Sequence, residues 1–239
     1  MQLFPAIDLL NGQSVRLFQG DYAQVSTINT DPLVQAQKIQ QAGLTNLHLV
    51  DLDGAKAGQP QNLETITRLR QNTDLFIEVG GGIRSLKTIR QYLDLGIDRV
   101  ILGSIALKAP ELVKQALAEF GADQIVIGID AKNDRVATEG WLETSTTSTA
   151  DLVATMAEAG AATFIVTDIA KDGTLAGPNV AMLRRLHEQF PALIFVASGG
   201  MRTPADLVAL QTAGIEHAII GKALAAGSIT LAQLKALEG

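Results

Sequence analysis

No cysteine occurs in the 239 residues, which excludes thiol catalysis, disulfides and cysteine-ligated metal and fits a reducing compartment. Histidine is almost as scarce: His48, His187 and His217 are too scattered for a metal-ligand motif, so no metal is expected. There is no run of Lys or Arg, and the formal net charge is −6, so neither nucleic acid nor an anionic membrane surface is an expected partner. No stretch approaches the roughly 18 apolar residues of a membrane span. The opening segment MQLFPAIDLLNG has no basic n-region, and Asp8 interrupts its apolar run. A soluble cytoplasmic protein is expected, one that holds any anionic ligand by local groups.

What is present is regular. Hydrophobic residues make up 47% of the chain, and its length is close to the roughly 250 residues of one (β/α)8 barrel. Strand-like segments begin near residues 3, 46, 75, 98, 124, 162, 193 and 216, and a helix-sized gap follows each. Gly43, Gly96, Gly121, Gly160 and Gly214 sit where helices end, and Asp31-Pro32, Ala109-Pro110 and Thr203-Pro204 sit where helices begin. Strict β/α alternation implies a parallel sheet covered on both faces. An open doubly wound sheet satisfies that pattern too, but eight units in two matched halves close more naturally into a TIM barrel. One α/β domain over 1–239 is expected, with half-barrels of about 1–121 and 122–239.

The matching of halves rests on a repeated element. Val79-Gly80-Gly81-Gly82-Ile83-Arg84-Ser85 with Val100-Ile101-Leu102-Gly103-Ser104 returns as Ala197-Ser198-Gly199-Gly200-Met201-Arg202-Thr203 with Ala218-Ile219-Ile220-Gly221-Lys222. Gly81 to Gly199 and Gly103 to Gly221 are both steps of 118 residues. In each copy glycines stand where a strand gives way to a helix, so backbone N–H groups and a helix N-terminus converge on one spot suited to phosphate. Tight strand-to-helix turns alone also use glycines, but two sites with one internal spacing suggest a substrate carrying a phosphate at each end.

Carboxylates end the strands in the same repeat. Asp8 closes strand one and Asp130 strand five, each followed three positions later by Asn11 or Asn133. Two carboxylates on opposite sides of a barrel mouth divide acid and base roles when their environments push their pKa values apart. Asp172, in a Lys-Asp-Gly-Thr loop, is a third candidate, although Asp-Gly is also a turn signal. Asp51 and Asp168 read as acceptors of backbone N–H groups. Arg16 lies in a long segment from Asn11 to about Asp31, read as a loop of lid-like length. Trp141, the only tryptophan, lies in the matching segment after strand five, as a hydrophobic plug or a stacking platform. His48 within strand two reads as a core histidine or a catalytic one.

FPAIDLLNGQSVRLFQGDY, HLVDLDGA, VGGGIRS, GIDAKNDRVATEGW, VTDIAKDGTLAGPN, ASGGMR and IIGKAL together resemble the phosphoribosylformimino-AICAR-phosphate (ProFAR) isomerase family of histidine biosynthesis, over nearly the whole chain. The resemblance implies a duplicated half-barrel, a substrate with a phosphoribosyl group at each end, and an Amadori rearrangement of aminoaldose to aminoketose without cofactor or metal. It implies Asp8 as base, and Asp130 or Asp172 as acid. Arg16, His48 and Trp141 fall near the substrate, with Trp141 over its imidazole carboxamide ring. Gly81, Gly82, Gly103 and Ser104 hold one phosphate; Gly199, Gly200, Gly221 and Lys222 hold the other, with Gly177 beside them. The sister cyclase shares the repeat and both aspartates, but its first strand ends in a Cys-Leu-Asp pattern where this chain has Ala6-Ile7-Asp8, and Glu139-Gly140-Trp141 fits the isomerase. A bifunctional isomerase that also takes phosphoribosylanthranilate uses the same chemistry. A silent sugar-phosphate-binding barrel does not need carboxylates, which repel an anionic ligand. The oligomeric state is left open, a monomer being compatible.

Overall fold

The computed structural model describes residues 1–138, 141 and 143–238. Its eight parallel strands are β1 (Gln2–Leu10), β2 (Asn46–Asp51), β3 (Phe76–Gly80), β4 (Arg99–Leu102), β5 (Ile125–Lys132), β6 (Thr163–Asp168), β7 (Ile194–Ser198) and β8 (His217–Ile220). Each pairs with the next, and β8 pairs with β1 from Gln2 opposite His217 to Pro5 opposite Ile220, which closes the sheet. Helices separate successive strands. The fold is therefore a (β/α)8 barrel and not an open doubly wound sheet, and every strand starts within one residue of its expected position.

The local signals act as their chemistry requires. The Asp31 side chain accepts the Leu33 N–H to start Pro32–Gln41, Ser85 accepts the Thr88 N–H to start Leu86–Asp94, and Thr203 with Asp206 forms a capping box for Pro204–Thr212. Helix Pro32–Gln41 ends at Ala42, and Gly43 turns the chain at φ 82°.

Side chains alternate across each strand, so the barrel has an outer and an inner core. Leu47, Ile77, Ile127 and Phe164 point outward into the large cluster shared with the helices. Phe4, Ala6, Val126, Ile165, Val196 and Ile219 form a separate plug inside the barrel. Two residues further along, the inward positions are Asp8, Gly128, Thr167, Ser198 and Gly221, which are small or polar. Fully buried aliphatic side chains there would each add about 1.5–3 kcal/mol. Their absence leaves the top of the barrel hollow at the C-terminal ends of the strands.

Two segments differ from the sequence reading. Residues 11–31 are not a loop: β1 continues into Gln13–Phe18, which pairs antiparallel with β1 and with Asp21–Asn29. After β5, Arg135–Thr138 and Glu143–Ser148 form the equivalent extension. The cause lies in two-residue turns whose central residues are both left-handed. Asn11 and Gly12 have φ 50° and 75°, and Asn133 and Asp134 have φ 51° and 60°, the geometry that matches strand twist in a hairpin. Of the Glu139-Gly140-Trp141 motif, only Trp141 lies within the described residues.

Candidate active site

A cavity of about 350 Å³ occupies the hollow end of the barrel. Asp8, Asp130 and Asp172 line it together with Arg16, His48, Trp141 and Lys222. Gly81, Gly103, Gly199, Gly200 and Gly221 also line it, whereas Gly82, Ser104 and Gly177 do not. Gly177 is buried, Gly82 is half-buried, and Ser104 is exposed at the start of the short helix Ile105–Lys108. Among the described residues, no group of three or more His, Cys, Asp or Glu side chains is disposed to hold a metal ion.

The three carboxylates have different surroundings. Asp8, at the end of β1, is ion-paired and hydrogen-bonded by Arg16, whose second terminal nitrogen donates to the Ala6 carbonyl. Asp130, at the end of β5, accepts a 2.8 Å hydrogen bond from Trp141 Nε1 and stands opposite Thr167 in register. Burial raises the Asp130 pKa above the ordinary carboxylate value against the opposing hydrogen bonds from Trp141 and Thr167. Asp172, whose backbone N–H bonds the Asp168 carbonyl, is pushed up to about 6, chiefly by burial and then by the negative charge of Asp8, with Arg16 opposing. One carboxylate is thus held beside a guanidinium, while burial makes the other two weaker acids than an ordinary aspartate.

Asp51 and Asp168 look much the same in sequence but are structural. Asp51 is fully buried and accepts from Gly54 N, Gln61 N, Asn62 N and Asn62 Nδ2. Asp168 accepts from Ala170 N and Asn179 Nδ2. Each asparagine lies 11 residues after its aspartate, so one brace is used at two equivalent points. Arg84 donates to the carbonyl of Ala55, which lines the cavity, and Arg202 pairs with Asp206; neither arginine lines the cavity itself.

The glycines divide by the reason for their lack of a side chain. A Cβ on Gly82 would stand 1.9 Å from the Gly54 carbonyl oxygen, and one on Gly200 would stand 2.5 Å from that of Gly177. Backbone packing accounts for those two. Gly103 has neither a positive φ nor any atom within 4 Å of such a Cβ. Its missing side chain is explained only by the cavity it lines. A Cβ on Gly221 would meet the Arg16 guanidinium at 3.1 Å, and Lys222 follows at the start of helix Lys222–Ala225.

The two hairpins meet over the mouth. Trp141, itself at φ 74°, lays its indole against the turn Gln19-Gly20, where a Cβ on Gly20 would be 2.6 Å from the ring. Gly173 approaches Leu17 and Gln19 from the loop that carries Asp172. His48 is a paired, buried histidine whose Nδ1 is 2.6 Å from the buried Glu78 Oε1, and it also lines the cavity. Sequence reasoning missed Thr167 and Ser198, which also line it. Their signal was a hydroxyl at an inward strand end, directly before Asp168 and before the Gly199-Gly200 pair.

The profile of the histidine biosynthesis protein family matches residues 2–230. The chain belongs to this family. A relative from Leuconostoc mesenteroides, named 1-(5-phosphoribosyl)-5-((5-phosphoribosylamino)methylideneamino) imidazole-4-carboxamide isomerase, is 56% identical over 237 residues, covering 99% of this chain and 100% of that one. Proteins of the same name from Streptococcus thermophilus and a Cyanothece species are 49% and 50% identical. The first match covers 100% of both chains; the second covers 97% of this chain and 90% of the relative. These relatives are thus similar to the chain over nearly its whole length.

Proposed function

We propose that the chain catalyses the aldose–ketose (Amadori) isomerisation named for its relatives, converting ProFAR to its aminoketose isomer in histidine biosynthesis. The observation that carries the reading is the grouping of three carboxylates with different partners, two of them raised by burial, in one cavity between two glycine-lined ends. The half-barrels, about 1–121 and 122–239, each supply one phosphate site: Gly81, Gly82, Gly103 and Ser104 in the first, Gly199, Gly200, Gly221 and Lys222 with Gly177 in the second. Loops after strands seven and eight with a short extra helix are a recurrent phosphate site of such barrels, and the arrangement at β7 and β8 supports this use.

The reaction needs an acid and a base in turn. The acid protonates the ribose ring oxygen as the C1–O bond breaks, leaving an open-chain iminium. The base then takes the C2 proton, and the electrons of that C–H bond form C1=C2 as the iminium nitrogen is neutralised. The resulting enaminol becomes the ketone when C1 gains a proton and the C2 hydroxyl gives its own up. We assign the acid role to Asp130, which favours its proton and sits on a rigid strand end, and the base role to Asp8. Asp172 shares the proton inventory of the mouth. Arg16 leaves Asp8 for the substrate when it binds, His48 contacts the substrate, and Trp141 stacks on its imidazole carboxamide ring. Each positioned proton transfer contributes about 10²–10⁴-fold. The test is purified chain with ProFAR, and separately with phosphoribosylanthranilate, without added metal or ammonia. Turnover of the first alone supports the proposal. Turnover of both extends it to a bifunctional isomerase, and turnover of neither rejects it.

A further inference from the structure

His48, Glu78 and Arg99 lie side by side on β2, β3 and β4: His48 is in register with Glu78, and Glu78 with Arg99. Glu78 is fully buried and divides its two oxygens. Oε1 is 2.6 Å from His48 Nδ1, and Oε2 accepts from Arg99 Nε at 2.7 Å. Arg99 is itself clasped between the rings of Phe4 and Phe76, with its guanidinium carbon 5.1 Å and 5.3 Å from their centres. Nothing in the acid–base scheme uses Glu78 or Arg99, yet a buried carboxylate and guanidinium are costly to place inside a barrel. In the neutral form of His48 the Nδ1–H is the one donated to Glu78, and the lone pair stays on Nε2.

That bond leaves Nε2 without a proton. Nε2 has no hydrogen-bond partner among the described residues, and it is absent from the buried, unpartnered side-chain atoms there, so it opens onto the cavity that His48 lines. We propose that Glu78, anchored by Arg99, is a positioning residue that fixes the tautomer and ring plane of His48, so that Nε2 presents a hydrogen-bond acceptor to an O–H or N–H donor of the substrate. The proposal rests on the functional reading above for the substrate's presence, but the tautomer is a property of the free chain. It also explains why an arginine stands inside the barrel: the guanidinium occupies Oε2 and so keeps Oε1 for the histidine.

The first experiment is ¹⁵N–¹H correlation of the histidine rings in the ligand-free chain near neutral pH, with His48 assigned by His48→Gln. The expected pattern is a protonated Nδ1 and a bare Nε2; a proton on Nε2 overturns the proposal whether or not the chain turns over ProFAR. The second is Glu78→Gln. With Arg99 retained, the amide must turn its oxygen to the guanidinium and its NH2 to His48, which makes Nδ1 an acceptor and moves the ring proton to Nε2. ProFAR kcat/KM per folded molecule is expected to fall about 10- to 100-fold, as when the orienting partner of a metal-bound histidine is lost. Adding Arg99→Met frees the amide to present its oxygen to His48 again, so the double variant should regain the Nδ1–H form and most of the lost kcat/KM. A single variant with unchanged kcat/KM and only a lower melting temperature would mean that Glu78 is merely structural. If Glu78→Gln does not fold, the wild-type spectrum and the double variant carry the test. Absence of ProFAR turnover by wild type, with the expected ring pattern, rejects the functional reading and leaves the tautomer standing.

Discussion

Asp8 and Arg16 share an ion pair at the mouth of the cavity, so Asp8→Asn removes a proton acceptor and a partner for the guanidinium at once. ProFAR turnover should drop by about 10²–10⁴-fold, while substrate affinity holds or rises because one negative charge leaves the site proposed to hold two phosphates. Steady-state kinetics with separately measured binding checks both halves, and near wild-type turnover rejects Asp8 as base. Asp172 gives a prediction of opposite sense. Its carboxyl is raised from 3.8 to about 6 in the fold, so the folded chain binds more protons than the unfolded one across that window. This group's contribution to stability is therefore full below about pH 4 and is lost as pH rises through about 6. Asp172→Asn, which cannot ionise, should melt on the order of 5 °C higher than wild type at pH 7.5, and the gain should vanish near pH 4. An equal gain at both values contradicts the raised pKa. These environments were not legible in the sequence: Asp8, Asp51, Asp130 and Asp168 all end strands, and only tertiary partners separate Arg16 on Asp8 from Asn62 on Asp51.

The hairpins show what local chemistry determines and what was overlooked. Asn11-Gly12 is a strong two-residue hairpin signal, and reading 11–31 as a loop let length outweigh turn chemistry. Asn133-Asp134 is a weaker version of the same turn. What no sequence pattern gives is that the first hairpin's second turn touches Trp141 from the other half of the barrel. Gly20 and Gly12 allow that contact to be separated from backbone strain, since their φ values, 73° and 75°, are nearly equal. A Cβ at Gly20 collides with the indole, whereas one at Gly12 has its nearest neighbour, Thr65 Oγ1, at 3.7 Å. Gly12→Ala and Gly20→Ala should each lower stability by about 1 kcal/mol. Only Gly20→Ala should change the emission of the single tryptophan and reduce ProFAR turnover. Identical emission spectra for the two variants would show that the indole does not rest on the turn.

At the scale of the molecule, the barrel was legible because eight apolar strands, their caps and their glycine stops agree with one another, and closure follows once β8 meets β1. Two anion sites are the corresponding prediction. Crystals grown with sulfate or phosphate should show density at both Gly81/Gly103 and Gly199/Gly221, and well-ordered crystals with neither would remove the two-phosphate model. The interior plug was the less legible part, because inward and outward positions of a strand buried on both faces are equally apolar. Gly103 carries a consequence for how such a barrel changes over generations. Gly82 cannot vary without displacing the Gly54 carbonyl, so folding itself polices it; at Gly103 no contact or dihedral does. Mutational drift there is invisible to stability and answers only to what the cavity must hold. A serine at 103 should leave melting nearly unchanged while crowding the end of the cavity to which the proposal assigns one phosphate, with the opposite end intact. On the proposed reading the end of the site at Gly103 can therefore be retuned without passing through an unfolded intermediate, whereas at Gly221 a side chain would meet Arg16.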